Sequence, residues 1–149
     1  MSNAPDITLI PDLHVGAVTV LLEARGEPTL GQVAVAQAIK NRATDLKSRW
    51  PRTWRGVCTQ DKQFSCWNVG DPNRTIGLQI VTALAHNGPL GKYGDPFRGA
   101  LWLVEMVDAG HGRDVVKGAN HYHRVDVAPW WSKGLKPVVI IGNHMFFTL

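Results

Sequence analysis

Apolar residues recur at the spacing of an amphipathic helix in four stretches of the first two thirds of the chain. Start and stop signals flank them, such as a Thr-x-x-Gln capping box and an Asn-Gly pair. The stripe of the second stretch is small and apolar, so we expect that helix to lie close against its neighbours as a central core helix. We predict helices over about residues 12–25, 29–46, 75–86 and 95–110, a short one over 53–59, and N-terminal capping by Asp12, Thr29 and Asp95.

The C-terminal segment has the pattern of β-structure. Residues 119–123 look extended, and the apolar runs 138–141 and 144–147 are separated by Gly142-Asn143, a two-residue loop typical of a β-hairpin. The sequence therefore predicts an α+β fold that is mainly helical, with a small antiparallel β-hairpin sheet at the C-terminus.

Length and composition indicate a single compact unit. The chain has 149 residues, of which 44% are hydrophobic, and this suits one domain over residues 12–149 that follows an N-terminal tail over 1–11. No apolar run is long enough to span a membrane, and no basic region precedes an apolar one at the N-terminus. We expect a monomer with no signal peptide and no stable membrane insertion.

The charge pattern allows two interpretations. The net charge of +4 favours anionic partners, and basic residues concentrate between positions 40 and 55. They form either a solvated basic face or a binding patch. Cys58 and Cys66 fit neither a redox pair nor a zinc module, so free thiols are expected, with a local disulfide as the alternative in an exported protein.

One carboxylate stands out because it lies at the end of an apolar helix. The apolar face of the first predicted helix ends with Leu21 and Leu22, directly before Glu23. A carboxylate beside a buried face loses hydration, which penalises the ionised form and raises its pKa. Glu23 would then hold a proton near neutral pH, as a general acid must, although glutamates at helix ends are more often surface charges. Glu27, beyond the helix end, is expected to be solvated or capping.

Polar and aromatic residues mix in the irregular segment after residue 47. The run Gln-Phe-Ser-Cys-Trp-Asn over 63–68 has the composition of a wall that orients a polar ligand. The other interpretation is an ordinary loop held in place by Phe64 and Trp67. The six tryptophans likewise serve either as flat faces for sugars or bases, or as core anchors.

Three histidines near the C-terminus raise the question of a zinc site. His121 and His123 alternate along a predicted strand and share a face, and His144 on the neighbouring hairpin is expected to approach them. Strand histidines more often pack or form hydrogen bonds, and no His-Glu-x-x-His helix is present. We predict no metal and no other cofactor.

Several motifs together resemble one enzyme family. They are Glu-Ala-Arg-Gly-Glu at 23–27, Gly-Gln-Val-Ala-Val-Ala at 31–36, Asn-Arg at 41–42, Gln-Phe-Ser at 63–65 and Ile-Gly-Asn-His-Met-Phe at 141–146. In this combination the chain resembles the SleB-type cell wall hydrolases, the spore-cortex-lytic enzyme family, whose catalytic domain bacteriophages also use. The resemblance covers nearly all of residues 13–147.

The resemblance implies a lysozyme-like fold, related to resuscitation-promoting factors and lytic transglycosylases, and a peptidoglycan substrate cut at the β-1,4 bond between N-acetylmuramic acid and N-acetylglucosamine. The family's catalytic glutamate falls on Glu23. Gln63 and Ser65 match its substrate-contacting loop, and Tyr122 lies in the aromatic strand beside the groove. Further candidate substrate contacts are Phe64 and Trp67, and also His121 and His123, whose presence around Tyr122 departs from the family pattern.

The mechanism and the cell context follow as expectations. No second carboxylate can be ranked among Asp45, Asp61, Asp71 and Asp126, which favours transglycosylase chemistry over hydrolysis. The expected context is a phage endolysin that stays cytoplasmic until it reaches the cell wall, with glycan strands as the partner and no nucleic acid. The alternatives are a zinc-dependent N-acetylmuramoyl-L-alanine amidase that uses the histidines, and a non-catalytic module that binds glycan or nucleic acid.

Overall fold

The structure is a computed structural model that describes residues 7–149. Within that range the chain forms mainly helices, followed by a three-stranded antiparallel sheet, which confirms the predicted α+β class. Short 3-10 turns cover Ser65–Trp67, Gly91–Tyr93 and Trp130–Ser132. The helices are α1 (Asp12–Glu23), α2 (Thr29–Ala43), α3 (Trp54–Thr59), α4 (Pro72–Ala85) and α5 (Gly94–Asp108), and the strands are β1 (His121–Arg124), β2 (Val139–Ile141) and β3 (His144–Phe147).

Helix α1 contacts all the other helices, and α2 is a core helix, as predicted, with eight of its residues buried. Every residue from Val15 to Val20 is buried, and α1 packs against all four other helices. The absence of a Cβ at Gly16 lets α3 approach closely, and the indole ring of Trp54 lies directly over Gly16. The sequence pattern of α1 does not reveal this central position, because a helix that is buried on every side has no polar face.

Three helix starts differ from the predicted capping. Asp12 lies inside the first turn of α1 after Pro11, and its carboxylate accepts hydrogen bonds from the backbone N–H groups of Trp54 at 3.1 Å and Arg55 at 2.8 Å. Asp12 therefore caps α3, together with the hydroxyl of Thr53. Thr29 and Asp95 also lie inside the first turns of α2 and α5 and not at their N-caps.

The sheet has the order β1-β3-β2, and its register decides which side chains share a face. Tyr122 pairs with Phe146 and Arg124 with His144, while His121 pairs with Phe147 and His123 with Met145. The predicted hairpin is confirmed: Ile141 pairs with His144 across the Gly142-Asn143 loop. Gly142 has φ +56°, a conformation that glycine adopts without strain.

The first described residues belong to the core. Ile7 is 8% and Ile10 is 3% exposed, and their carbonyl groups accept hydrogen bonds from the guanidinium of Arg55 at 3.2 and 2.5 Å. Ile7 and Ile10, which lie within the predicted tail over 1–11, therefore pack in the core. Residues 1–6 of that tail lie outside the described range. Over residues 7–149, no helix combines the length and apolarity that crossing a membrane requires.

We predict that Gly16→Ala lowers the free energy of unfolding by about 1–3 kcal/mol, because a Cβ there would lie 2.6 Å from Cε3 of Trp54. Gly99→Ala is the matched control, since a Cβ at Gly99 in α5 meets nothing within 4 Å. That control should be neutral or stabilising by up to about 1 kcal/mol, because alanine has the higher helix propensity. Urea unfolding of both variants measures the difference, and equal stabilities would contradict the close α1–α3 contact.

Candidate active site

Glu23 is the last residue of α1 and is half-buried. Leu22 and Ala24 on either side of it are fully buried, which fixes the helix end against the core. Its Oε1 accepts a hydrogen bond from the hydroxyl of Tyr122 at 3.2 Å. The hydroxyl of Ser65 and the backbone N–H of Cys66 face the carboxylate as further donors that lower its pKa. The site thus joins α1, the 3-10 turn over Ser65–Trp67 and β1.

Burial raises the pKa of Glu23 from its ordinary value of 4.5 to about 7. The hydrogen bonds from Tyr122, Ser65 and Cys66 oppose this shift because they favour the ionised carboxylate, whereas the negative charge of Asp71 adds to it. The raised pKa predicted from the sequence is confirmed. Near neutral pH the carboxyl group is present in both protonated and ionised forms, so it can donate a proton and then take one back.

Tyr122 is a fixed hydrogen-bond donor to Glu23. Its ring packs against His144 at 5.0 Å and Phe146 at 5.6 Å between ring centroids. Burial raises the pKa of Tyr122 well above its ordinary value of 10, so the hydroxyl keeps its proton at any physiological pH. The predicted site residues Tyr122 and Ser65 are therefore both brought to Glu23.

Among the four unranked aspartates, Asp71 is the one whose charge affects the pKa of Glu23. Its carboxylate caps α4 by accepting a hydrogen bond from the backbone N–H of Asn73 at 2.8 Å. Asp45 and Asp126 instead form ion pairs with Arg49 and Arg124. Asp61 is exposed. Of these four aspartates, only Asp71 thus acts on Glu23, and its carboxylate already caps α4.

Arg42 holds the Gln63 side chain in place and was missed in the sequence as a site residue. It is 6% exposed and donates to the carbonyl of Asn120 at 2.6 Å and to Oε1 of Gln63 at 3.0 Å. Its guanidinium carbon lies 5.4 Å from the ring centre of Trp50 and 5.3 Å from that of Phe64. Because Arg42 occupies the acceptor oxygen of Gln63, the amide N–H₂ of Gln63 is left to donate to a ligand.

Glu27 is buried, and the prediction that it is solvated was wrong. It is 9% exposed, and its carboxylate accepts hydrogen bonds from the backbone N–H of Asn143 at 2.8 Å and from the Asn143 side chain at 3.0 Å. The Nδ1 atom of His144 lies 3.4 Å from Oε1 of Glu27 and makes no hydrogen bond. Burial lowers the pKa of His144, which favours a neutral ring. Glu27 thus fixes the tip of the β2–β3 hairpin to the start of α2.

The two aromatic residues of the predicted ligand-binding loop are used for packing. Phe64 is 3% exposed and its ring lies 6.4 Å from that of Tyr122. Trp67 is half-buried, packs over Gly77 of α4, and donates from Nε1 to the hydroxyl of Thr19 at 3.0 Å. These contacts set the position of the segment between them, including Ser65. Gln63 and Ser65 are the exposed polar residues of this loop.

His121 and His123 lie on the face of β1 opposite Tyr122. Both rings contact Trp131, at 5.1 and 5.5 Å between centroids, and His123 stacks on Phe147 at 5.0 Å. Burial and the charges of Arg42 and Arg49 lower the pKa of His121 to about 4, so its ring is neutral at pH 7. The structure therefore does not bring these two predicted contacts to Glu23.

The histidine trio required for a zinc site does not form. His144 pairs with Arg124 and shares the face of Tyr122, so it cannot join His121 and His123 across the sheet. Within residues 7–149 no cluster of three or more His, Cys, Asp or Glu side chains has metal-binding geometry. The placement of the three histidines therefore gives no support to the zinc alternative. Cys58 and Cys66 are buried free thiols and form no disulfide with each other.

Most of the basic residues between positions 40 and 55 have partners inside the protein. Arg42 is buried, Lys40 pairs with Asp108 at 2.7 Å, and Arg49 pairs with Asp45 at 2.9 Å. Arg55 donates to two backbone carbonyl groups. These contacts favour a structural role for the segment over the binding patch that the sequence left open.

Comparison with known proteins identifies the class. A family model described as cell wall hydrolase matches residues 26–147. The chain therefore belongs to the cell wall hydrolase family. The match begins just after Glu23, so it does not itself include that side chain.

The particular relatives are spore cortex-lytic enzymes. The enzyme from Bacillus cereus is 35% identical over 94 residues, which are 60% of this chain and 36% of the relative. The enzyme from Halalkalibacterium halodurans is 33% identical over 138 residues, which are 91% of this chain and 34% of the relative. The chain thus spans about a third of the length of these curated relatives.

Two solved structures have the same fold. The catalytic domain of the Bacillus cereus SleB protein superposes with a TM-score of 0.60 at 27% identity, covering 93% of this chain and 95% of that one. The catalytic domain of the germination-specific lytic transglycosylase SleB from Bacillus anthracis has a TM-score of 0.60 at 32% identity, covering 91% and 92%. These matches confirm the SleB-type resemblance and the lysozyme-like fold.

We predict that Glu23→Gln stabilises the protein above neutral pH. Because the folded-state pKa of Glu23 is raised from 4.5 to about 7, the stability that the protonated form contributes is lost as pH rises from about 4.5 through about 7. The glutamine variant, which does not titrate, should match the wild type at pH 4 and exceed its free energy of unfolding by about 1–3 kcal/mol at pH 8.

Urea unfolding at a series of pH values measures this difference, and a carboxyl NMR titration of Glu23 should give a midpoint near 7. Tyr122→Phe should move that midpoint upward, because it removes a hydrogen bond to the ionised form. A glutamine variant that is less stable than the wild type at pH 8 would contradict the desolvation of Glu23.

A further prediction concerns the hairpin contact. Glu27→Ala should lower the free energy of unfolding by about 2–4 kcal/mol, since two donors of Asn143 would lose their buried partner. Glu105→Ala, at an exposed position of α5, serves as the control and should change stability by less than about 0.5 kcal/mol. Equal effects of the two substitutions in thermal or urea unfolding would show that Glu27 is not needed to hold the hairpin.

Proposed function

We propose that this chain cleaves the glycan strands of peptidoglycan between N-acetylmuramic acid and N-acetylglucosamine as a lytic transglycosylase, with Glu23 as the catalytic group. The observation that carries the proposal is a half-buried carboxylate whose pKa lies at about 7 and which is hydrogen-bonded by Tyr122. Membership of the cell wall hydrolase family and the likeness to SleB catalytic domains support the substrate class.

The reaction uses Glu23 twice. Tyr122 donates to Oε1 of Glu23, and the carboxyl group carries the proton that the first step uses. In the first step that proton goes to the glycosidic oxygen, the bond from the muramic anomeric carbon to this oxygen breaks, and positive charge develops at the anomeric carbon. In the second step the muramic C6 hydroxyl attacks the anomeric carbon and gives its proton to Glu23. The product has a 1,6-anhydro end, and Glu23 is protonated again.

In this reaction the protein controls whether the carboxyl group of Glu23 carries its proton. Loss of hydration makes protonated Glu23 available near neutral pH, and the donors Tyr122, Ser65 and Cys66 stabilise the carboxylate that the first step leaves behind. A second carboxylate is not required for this route. Hydrolysis would need a group to activate water, and Asp71 is the nearest candidate by its electrostatic effect on Glu23.

Gln63 and Ser65 are the proposed substrate contacts beside Glu23. Both side chains are exposed, and the amide N–H₂ of Gln63 is free to donate because Arg42 holds its oxygen. A donor of this kind suits the acetamido carbonyl group of an amino sugar. In the same proposal Phe64 and Trp67 support this wall from behind, and His121 and His123 do not contact the bond that is cut.

The wider context follows from the same proposal. The partner is the peptidoglycan glycan strand, the working form is a monomer, and a phage lysin that reaches the wall after cytoplasmic synthesis is one setting for it. A non-catalytic binding module would leave the raised pKa of Glu23 without a use. The zinc amidase has no support in the placement of its three histidines.

The decisive test is cleavage of purified peptidoglycan sacculi by the full chain, followed by turbidity and by mass spectrometry of the products. Glu23→Gln should lower the rate by about 100-fold or more, since the proton donor is lost while the fold is kept. Glu105→Gln, at an exposed position, should cleave at the wild-type rate.

The products separate the candidate reactions. Anhydro-muramic ends support the transglycosylase, reducing ends indicate a hydrolase, and free peptides without glycan cleavage indicate an amidase. Wild-type activity in a correctly folded Glu23→Gln variant would remove Glu23 from its proposed role.

A further inference from the structure

A pocket of about 370 Å³ lies beside the C-terminal end of α1, the helix that carries Glu23. Leu21, Leu22, Ala24 and Arg25 of that helix end form one side of it. Gly26, Gln32 of α2, and Lys92, Tyr93 and Pro96 around the start of α5 complete the lining. The volume falls in the range of sites that hold small ligands. Neither the mechanism nor the hydrogen-bond network around Glu23 uses this pocket.

The lining combines an apolar floor with two cations and no acidic residue. Leu22 and Ala24 are buried beneath it, whereas Arg25 and Lys92 are exposed at its edge. Lys92 lies over the ring of Tyr93, with Nζ 5.3 Å from the ring centre. Arg25 donates one hydrogen bond, from Nη1 to Oδ1 of Asn73 at 3.2 Å, and its remaining N–H groups can donate to a ligand. Such a pocket selects a ligand that has an apolar body and an anionic group.

The pocket lies next to Glu23 along the chain, because Leu22 and Ala24, which line it, flank Glu23. Arg25 follows Glu23 by two residues, and its hydrogen bond to Asn73 reaches the first turn of α4. That turn is capped by Asp71, the residue whose charge raises the pKa of Glu23. Because Arg25 is two residues from Glu23, their Cα atoms lie within about 7 Å of each other, and a group attached to a glycan strand at Glu23 has only this span to cross. In peptidoglycan, each muramic residue carries a short peptide that ends in free carboxylates, and this peptide is an anionic group on the same sugar whose glycosidic bond is cut.

We propose that this pocket binds a carboxylate of the acidic stem peptide of peptidoglycan, through Arg25 and Lys92. The proposal rests on the proposed function and adds to it a preference for glycan strands that carry peptides. A neutral sugar would gain little from two cations, whereas a peptide carboxylate forms charge-assisted hydrogen bonds with both. The methyl groups of alanine residues in the stem suit the apolar floor.

Binding can be tested without any cleavage. The full chain, labelled for NMR, is titrated with a free acidic stem tetrapeptide and, separately, with the same peptide in which every carboxylate is amidated. We expect shifts of the backbone signals of Gly26, Gln32 and Lys92 with the acidic peptide, and at least about fivefold weaker binding of the amidated one. No shift at these residues, or equal binding of both peptides, would overturn the proposal.

Cleavage gives the second arm. The substrates are peptide-bearing glycan strands and the same strands after an amidase has removed every stem. For the double variant Arg25→Gln/Lys92→Gln, the ratio of kcat/KM on peptide-bearing strands to kcat/KM on stripped strands should fall by about 3- to 10-fold relative to wild type. The control Lys133→Gln/Lys136→Gln removes the same charge at exposed positions outside the pocket and should keep the wild-type ratio.

The outcomes separate the two proposals. An unchanged ratio in the pocket variant, or an equal fall in the control variant, overturns the stem-peptide site while the cleavage proposal stands. If the wild type cleaves neither substrate, the proposed function fails, and the peptide titration alone then decides whether the pocket binds the stem.

Discussion

The site depends on the cost of placing one carboxylate at the end of a helix that is buried on every side. The core fixes α1 through Val15 to Val20, so the chain cannot rotate Glu23 fully into water without moving the helix. The loss of hydration raises its pKa to about 7. A glutamate that was fully exposed to water would be ionised at neutral pH and would have no proton to donate. The raised pKa of Glu23, on which the proposed acid chemistry depends, thus follows from the packing of α1 against its four neighbours.

The sheet fixes the position of Tyr122, the residue that donates a hydrogen bond to Glu23. Glu27 fixes the hairpin tip through Asn143, β3 pairs with β1, and Tyr122 in β1 donates to Glu23. This series of contacts starts at Glu27 and returns to Glu23, only four positions earlier in the chain. The same short segment therefore carries the carboxylate of Glu23 and holds the sheet whose Tyr122 donates a hydrogen bond to it. A shift of the sheet would therefore alter both the position of Tyr122 and the protonation of Glu23.

Local patterns in the sequence predicted most elements and the raised pKa of Glu23, because both depend on nearby residues. The long-range partners could not be found in this way. Glu27 binds Asn143 across 116 positions, and the solvated surroundings expected from Pro28 and Gly26 were misleading. Arg42 did leave a signal: it follows Val35, Ala38 and Ile39 at helical spacing on the buried side of α2. An arginine on a buried stripe must find acceptors inside the protein, and here they are Asn120 and Gln63.

In the proposed reaction, a single carboxylate is better suited to the two steps than a close pair would be. A second ionised carboxylate in contact with Glu23 would raise the pKa of Glu23 further and would weaken it as an acid donor. Asp71 exerts this effect only from a distance, because its carboxylate is bonded to the first turn of α4. Donation from Tyr122, Ser65 and Cys66 acts in the opposite direction. The balance keeps the pKa of Glu23 near neutrality, where one group can give a proton to the leaving sugar and accept one from the attacking hydroxyl.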